Sequence, residues 1–166
     1  MKEKHKQMYM RQAFAAAETS SAIRLQVGAV AINPRRNQLI ASGYNALPSG
    51  VDGECETKIY LPPDAGGWIE PQEIVEKFPF KDDIGRYYLK TRPEVRHGEK
   101  NLLLNLAKST ESAYDSHIFC THSCCLLCAM DIVDSGCSKF YYKHHYRDTS
   151  GLDYLLKNGV EVEQIN

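Results

Sequence analysis

The apolar positions follow a helical period near the N-terminus and form strand-like runs shortly after it. Residues 2–18 are rich in helix formers, and Met8 and Phe14 lie with an alanine run on one predicted apolar face. This spacing predicts a helix. Residues 27–33 (VGAVAIN) and 38–44 (QLIASGY) have strand character and flank the turn sequence PRRN. They predict a β-hairpin after the first helix.

The second half of the chain alternates between helical and strand-like patterns. The predicted helices cover residues 97–109, 125–135 and 150–157, and the predicted strands cover residues 117–121, 139–143 and 160–163. Gly136 is placed to end the second of these helices, and Asn158 and Gly159 are placed to end the third. Together with the hairpin, this order predicts a mixed sheet with helices on its faces, which is an α/β fold.

The segment between the hairpin and residue 97 has a different composition. Residues 45–93 contain six of the seven prolines and only one brief helical pattern, at residues 72–78. A loop of this length inside a compact domain is either functional or partly mobile. Because 166 residues suit one domain of ordinary size, we predict a single domain over residues 1–166 with a long insertion at about 52–96.

Composition and charge exclude several classes of partner. The chain has 20 basic and 21 acidic residues and a net charge of −1, so it lacks the basic footprint of proteins that bind duplex nucleic acid. It also has no aromatic-rich basic strip for single strands. No apolar stretch approaches the roughly 20 residues of a membrane span, and no signal peptide is apparent. We therefore expect a cytoplasmic protein that binds neither nucleic acid polymers nor membranes.

Five of the six cysteines lie between residues 120 and 137, and Cys55 stands alone. This crowding is a poor layout for a secreted disulfide framework and favours metal binding or catalysis. We expect Cys55, Cys120 and Cys137 to pack as small apolar residues.

Two fragments carry the chemistry, His97-Gly98-Glu99 and Cys125-Leu126-Leu127-Cys128, and each lies at the start of a predicted helix. Residues three apart in a first helical turn share one side, so Cys125 and Cys128 can bind one zinc ion. His97 would be the third ligand. A fourth position left to water is typical of catalytic rather than structural zinc.

Glu99 is the candidate catalytic residue beside this zinc. Two thiolates and a neutral imidazole cancel the charge of the ion, so the ion acidifies water less and a nearby proton acceptor is needed. Glu99 can take a proton from water and deliver it to a ring nitrogen of a substrate. His-x-Glu with Pro-Cys-x-x-Cys is the signature of zinc deaminases that act on cytosine or adenine.

Alternative interpretations of these fragments remain open at the level of the sequence. The Cys-x-x-Cys pair alone would also suit a redox dithiol or half of a structural zinc site. A structural module that binds a partner would need a fourth protein ligand, for which Cys120, His122 and Cys124 are the nearby candidates. Cys124 could also replace Cys125 as a ligand.

The motifs extend over most of the chain. They run through Val27-Gly28-Ala29-Val30, Gly43-Tyr44-Asn45 with Pro48, His97-Gly98-Glu99-Lys100-Asn101, Ser123-Cys124-Cys125-Leu126-Leu127-Cys128-Ala129 and Tyr146-Arg147-Asp148. In these motifs the chain resembles the deoxycytidylate (dCMP) deaminase family of the cytidine deaminase superfamily, and the long insertion resembles its viral members. The resemblance implies a three-layer α/β/α fold with a five-stranded mixed sheet. It also implies a homohexamer that converts dCMP and water to dUMP and ammonia.

Three positions depart from the family pattern. Cys124 stands where the family has proline, Gly98 replaces alanine, and Leu102 replaces a small residue. The ligands and Glu99 are retained, and the backbone N–H of Gly98 remains available to a substrate carbonyl. We therefore expect catalysis to survive these changes.

The resemblance also implies a set of nucleotide-binding residues. These are Asn45 for the deoxyribose, Gly98 for the substrate carbonyl, Ser123 as a further substrate contact, and Ser20, Arg24, Tyr146 and Arg147 around the 5′-phosphate or at the mouth of the pocket. Physically, guanidinium groups bind a phosphate dianion in a bidentate manner, and a tyrosine can stack on a pyrimidine. The simpler alternatives are exposed surface charges for Arg24 and Arg147 and a turn cap for Asn45.

In the family, dCTP with magnesium activates the enzyme and dTTP inhibits it. By resemblance the effector region comprises Val27, Gly28, Asn45 and Ala46. Other substrates within the superfamily, namely deoxycytidine, dCTP or a tRNA base, remain alternatives to dCMP. His144 and His145 form a pair for which solvent exposure is a simpler prediction than a second metal site.

Overall fold

The computed structural model of the chain describes residues 1–64 and 71–166, which contain five helices and two β-sheets. The helices are α1 (Glu3–Ala17), α2 (Pro71–Lys77), α3 (Gly98–Ala107), α4 (Leu126–Asp134) and α5 (Ser150–Lys157). The strands are β1 (Gly28–Asn33), β2 (Gln38–Tyr44), β3 (Glu56–Tyr60), β4 (Phe80–Lys81), β5 (Arg86–Thr91), β6 (His117–His122), β7 (Lys139–His144) and β8 (Glu161–Gln164).

The larger sheet has the strand order β2-β1-β6-β7-β8. Strand β1 pairs antiparallel with both β2 and β6, whereas β6, β7 and β8 run parallel to one another. Parallel neighbours need a crossover connection, and α4 and α5 provide the two crossovers. The predicted five-stranded mixed sheet is therefore confirmed.

Helices cover both faces of this sheet. On one face α1 packs through Tyr9, Met10 and Ala13. The other face carries α3, α4 and α5, whose buried side chains include Leu102, Leu106, Ile132 and Leu155. The result is the three-layer α/β/α arrangement that the resemblance implies. Among the described residues, every helix is too short or too polar to cross a bilayer.

The insertion forms a second sheet that the sequence analysis did not predict. The sheet has antiparallel strands in the order β3-β5-β4. The described part of the insertion also contains α2, which starts one residue before the predicted position. The strands were missed because they are half-exposed and rich in charged residues, and because β3 and β5 pair across more than 25 intervening residues. Residues 65–70 of the predicted insertion lie outside the described residues.

The two helices that carry the chemical motifs begin one residue later than predicted. His97 and Cys125 are the N-cap residues of α3 and α4, with extended backbone angles (φ/ψ of −68°/156° and −75°/167°) and no capping hydrogen bond from their side chains. An N-cap residue lies outside the helical backbone conformation, so its side chain can turn away from the helix. Both side chains are thereby free to meet at the helix ends.

Helix α3 lies unusually close to the backbone of β2. A Cβ atom on Gly43 would lie 2.3 Å from the Leu102 nitrogen and 2.5 Å from the Gly98 oxygen. Only glycine permits this approach, and the approach fixes the height of α3 above the sheet. The positions of His97 and Glu99 at the start of α3 therefore depend on glycine at position 43.

We expect Gly43→Ala to destabilise the fold by about 1–3 kcal/mol, because the added methyl forces α3 away from β2. Thermal denaturation of the two proteins measures the change. Ser42→Ala, at the exposed neighbouring position, is the matched control and should leave the melting temperature almost unchanged. Equal stability of Gly43→Ala and the wild type would contradict the close packing.

Candidate metal centre and cavity

The structure brings His97, Cys125 and Cys128 together. The Nδ1 atom of His97 lies 3.4 Å from the sulfur atom of Cys125 and 3.4 Å from that of Cys128. All three ligand atoms lie within 4.8 Å of one another. They come from the N-cap of α3 and from the N-cap and first turn of α4, so two separate helix starts build one cluster.

These distances fit a tetrahedral zinc ion. With Zn–S bonds of about 2.3 Å and Zn–N bonds of about 2.05 Å, tetrahedral angles place sulfur and nitrogen about 3.6 Å apart. The donor chemistry agrees as well, since the hydrogen bonds from Cys128 and His97 lower the pKa of the Cys125 thiol to about 4. Cys125 is therefore prepared to bind as a thiolate.

The neighbouring cysteines do not join this cluster. Cys124 is fully buried in the core beneath α3, α4 and α5, and burial raises the pKa of its thiol. Cys120 is equally buried, and the pKa of its thiol is raised well above the ordinary value for the same reason. Within residues 1–64 and 71–166 the cluster has three members, and Cys120, His122 and Cys124 lie outside it.

Glu99 lies in the first turn of α3, two residues after His97, and its side chain is almost completely buried. Burial raises the pKa of its carboxyl group to about 7, because the charged form loses its hydration. A carboxyl group with this pKa takes up and releases protons readily near neutral pH.

A cavity of about 470 Å³ opens beside the cluster. His97, Glu99 and Cys125 line it. Six further residues that the sequence analysis singled out also line it, namely Arg24, Val27, Asn45, Ser123, Tyr146 and Arg147. The cavity therefore combines a metal-binding cluster, a buried carboxyl group and two guanidinium groups.

Asn45 holds one wall of this cavity together. Its side-chain oxygen accepts a hydrogen bond from the Val27 N–H (2.8 Å), and its amide donates to the Leu25 oxygen (2.8 Å). Ser20 lies outside the lining, where its buried hydroxyl donates to the Asn45 carbonyl at 2.6 Å. Both side chains thus order the loop that carries Arg24.

Ser123 and Tyr146 are linked on the other side of the cavity. The buried Ser123 hydroxyl accepts a hydrogen bond from the Tyr146 N–H at 2.7 Å, which fixes the start of the segment after β7. The Arg147 guanidinium lies 5.4 Å from the centre of the Tyr146 ring, a cation–π distance. Arg147 is exposed, as is Arg24 across the cavity.

The four residues assigned to effector binding lie beside the cavity or in its wall. Val27 and Asn45 belong to the cavity lining. Gly28 is buried, with its N–H donating to the Thr121 hydroxyl, and Ala46 forms a two-way backbone bridge with Arg96. Gly98 contributes backbone only, and a Cβ there would lie 2.9 Å from the Val27 oxygen, which explains why glycine suits this chain.

Sequence reasoning assigned no place in the lining to five of its residues, namely Glu56, Thr91, Val95, His122 and Leu25. Glu56, Thr91 and Val95 belong to the insertion, whose sequence contains no local motif that predicts a site. His122 had been considered only as a further metal ligand. His144 and His145 are exposed, as predicted, and lie outside the metal cluster of the described residues.

Comparison with known proteins gives consistent matches. The profile of the cytidine and deoxycytidylate deaminase zinc-binding region matches residues 3–144. The crystal structure of the dCMP deaminase from the cyanophage S-TIM5 in complex with dCMP and dUMP is similar to this chain, with 33% identity and a TM-score of 0.75. The match covers 99% of this chain and 98% of the phage protein.

Two cellular proteins are similar at lower identity. ComE operon protein 2 of Bacillus subtilis is 26% identical over 161 residues, which cover 96% of this chain and 70% of that protein. The deoxycytidylate deaminase of Saccharomyces cerevisiae is 26% identical over 163 residues. The latter match covers 95% of this chain and 44% of the yeast protein.

We expect Cys125→Ser to lower the zinc content well below the roughly one ion per chain of a three-ligand site, because it removes a thiolate ligand. Cys124→Ala is the matched control at the adjacent position and should retain the metal. Elemental analysis of the purified proteins measures both. Equal loss of zinc from the two variants would contradict the ligand set.

Proposed function

Since this chain belongs to the family of cytidine and deoxycytidylate deaminases, we propose that it hydrolyses dCMP to dUMP and ammonia in a zinc-dependent reaction that supplies dTMP precursors. The family membership confirms the resemblance that the motifs suggested. One observation carries the substrate proposal, namely that two of the three candidate metal ligands line the same cavity as Glu99 and two arginines. The two ligands are His97 and Cys125, and the arginines are Arg24 and Arg147. The likeness to a phage dCMP deaminase over nearly the whole chain supports it.

His97, Cys125 and Cys128 would hold the zinc ion. Zinc bound there would supply Lewis-acid chemistry that makes water a better nucleophile. Glu99 would accept one proton from the attacking water and donate it to N3 of the cytosine ring. It would then carry the remaining hydroxyl proton of the C4 adduct to the leaving amino group, which departs as ammonia. The C4–N bond is thereby replaced by a C4–O bond. The burial that raises the pKa of Glu99 suits a group that takes up a proton and returns it.

The starts of α3 and α4 would assist this chemistry through their backbone. The first N–H groups of a helix have no partner within the helix, and the helix dipole favours negative charge there. The N–H groups near Gly98 and Cys125 can therefore donate hydrogen bonds to the oxygen atoms of the base and of the tetrahedral adduct. Enclosure of the base in the cavity would keep bulk water away.

Arg24 and Arg147 would bind the 5′-phosphate. Guanidinium groups suit a phosphate dianion because their N–H groups bind two oxygens at once. Tyr146 would stack on the pyrimidine, Asn45 would contact the deoxyribose, and Ser123 would position Tyr146 through the backbone. Ser20 would act indirectly by holding Asn45.

Other functions are distinguishable from this one. Deaminases of deoxycytidine, dCTP or a tRNA base would share the metal cluster and differ in how they treat the phosphate. A structural zinc module would need a fourth protein ligand, which the described residues do not bring to the cluster. Deamination is therefore better supported than a structural zinc module, and the likeness to a phage dCMP deaminase favours dCMP among the possible substrates.

Three further properties belong to the proposal through the resemblance. They are activation by dCTP with magnesium, inhibition by dTTP through the region of Val27, Gly28, Asn45 and Ala46, and assembly as a homohexamer. A cytoplasmic location, that of the host for a viral protein, is supported by six cysteines that form no disulfide.

We expect Glu99→Gln to keep its zinc and its fold but to lose about 10²–10⁴-fold in kcat on dCMP, because the amide cannot transfer the proton. Ammonia release together with zinc content measures this. Glu94→Gln, on the exposed segment before α3, is the control. Turnover of Glu99→Gln at the wild-type rate would reject Glu99 as the proton carrier.

We expect dCMP to be preferred over deoxycytidine and dCTP, and expect Arg147→Ala to raise the KM for dCMP by about tenfold, because a charged hydrogen bond to the phosphate is lost. The KM for deoxycytidine, which has no phosphate, should change much less. Steady-state assays on the three compounds test both statements. Equal use of nucleoside and nucleotide would contradict phosphate recognition.

A further inference from the structure

The insertion reaches the cavity through one buried acid. Glu56, the first residue of β3, is 7% exposed and lines the cavity wall. One carboxylate oxygen accepts a hydrogen bond from the Ile23 N–H at 3.1 Å, and the other accepts one from the Arg24 N–H at 3.3 Å. Both oxygens of this acid therefore hold the backbone of the loop at Arg24.

The strand partner of Glu56 binds the guanidinium group of Arg24. Glu56 on β3 pairs with Thr91 on β5 in the antiparallel register of the insertion sheet. The Thr91 hydroxyl accepts a hydrogen bond from the Arg24 guanidinium at 3.1 Å. One cross-strand pair thus fixes both the backbone and the head group of Arg24.

The adjacent residue strengthens the same contact. Cys55 is fully buried, and its sulfur lies 3.3 Å from the Ser21 hydroxyl. Between α1 and β1 the chain has no regular secondary structure, so the loop depends on such side-chain contacts for its order. Without them, the exposed Arg24 side chain would be free to sample many rotamers.

We propose that Glu56 is a positioning residue, which orders Arg24 so that its guanidinium, steadied by Thr91, binds the 5′-phosphate of the nucleotide. The inference rests on the proposed function and assigns a role to the insertion. A preorganised guanidinium loses less conformational entropy when it binds phosphate, so the order created by Glu56 contributes to affinity.

The negative charge of Glu56 lets the direction of a change in KM for dCMP test the proposal. A carboxylate in the wall of an anion-binding cavity repels the phosphate, so its neutralisation would by Coulomb's law alone tighten the binding of dCMP. If Glu56 acts by ordering Arg24, neutralisation must instead weaken binding. The direction of the change in KM separates the two effects.

The test is Glu56→Gln, which keeps the shape of the side chain but leaves at least one of the two N–H groups without an acceptor. We expect the KM for dCMP to rise about tenfold, with a much smaller change in kcat. The inhibition constant of deoxycytidine as a competitor should change by less than about threefold, because it has no phosphate. Glu54→Gln removes the same charge at an exposed position and should match the wild type.

Two further variants distinguish the ordering of Arg24 from a general loss of structure. Thr91→Val, at an exposed position on β5, should raise the KM for dCMP in the same direction. In an Arg24→Ala background, Glu56→Gln should have little further effect on dCMP, because the two residues act as one unit. An unchanged or lower KM for dCMP in Glu56→Gln, or equal weakening of dCMP and deoxycytidine, would overturn the proposal.

Hydrogen exchange of the peptide that contains residues 20–27 separates this proposal from the proposed function. Glu56→Gln should speed the exchange of this peptide, whatever the substrate, and unchanged exchange would overturn the ordering role. A wild-type protein that orders this loop but does not turn over dCMP would instead overturn the proposed function.

Discussion

The convergence of two helix starts is the constraint on which the rest of the structure depends. His97 and Cys125 each occupy an N-cap position, so their side chains leave the helices and meet where α3 and α4 begin. The relative position of the helices is set by backbone packing, since Gly43 admits α3 against β2 and Gly151 admits α5 against the Cys124 carbonyl. An ion pair between Lys100 and Asp131 (3.4 Å) adds a direct link between α3 and α4.

Burial separates the chemical groups of the cavity into two kinds. Glu99 is almost fully buried, and its pKa is raised because its charge is poorly hydrated, whereas Arg24 and Arg147 are exposed to solvent. Proton transfer benefits from a carboxyl group that is easily protonated, and phosphate binding benefits from cations that stay ionised. The cavity provides both environments because its lining comes from the buried helix starts and from exposed loops.

Local spacing decided which features the sequence could predict. His97, Glu99, Cys125 and Cys128 lie in two short motifs whose geometry follows from one helical turn, and the apolar runs of β1, β6 and β7 give the main sheet. Glu56 could not be found in this way. Its role comes from pairing with Thr91, which is distant along the chain, and from a loop more than 30 residues upstream. Non-local contacts of half-exposed strands leave no periodic signal.

The choice between Cys124 and Cys125 shows how the fold selects a ligand among neighbours. Adjacent residues at a strand-to-helix junction point in different directions, so one thiol enters the core and the other faces His97. The buried Cys124 has a raised pKa and behaves as a small apolar residue, whereas hydrogen bonds lower the pKa of Cys125. Cys124 therefore fills core space and stays outside the metal cluster of the described residues. The same logic accounts for Gly98, because a side chain there would press on the Val27 carbonyl that accepts the Asn45 N–H.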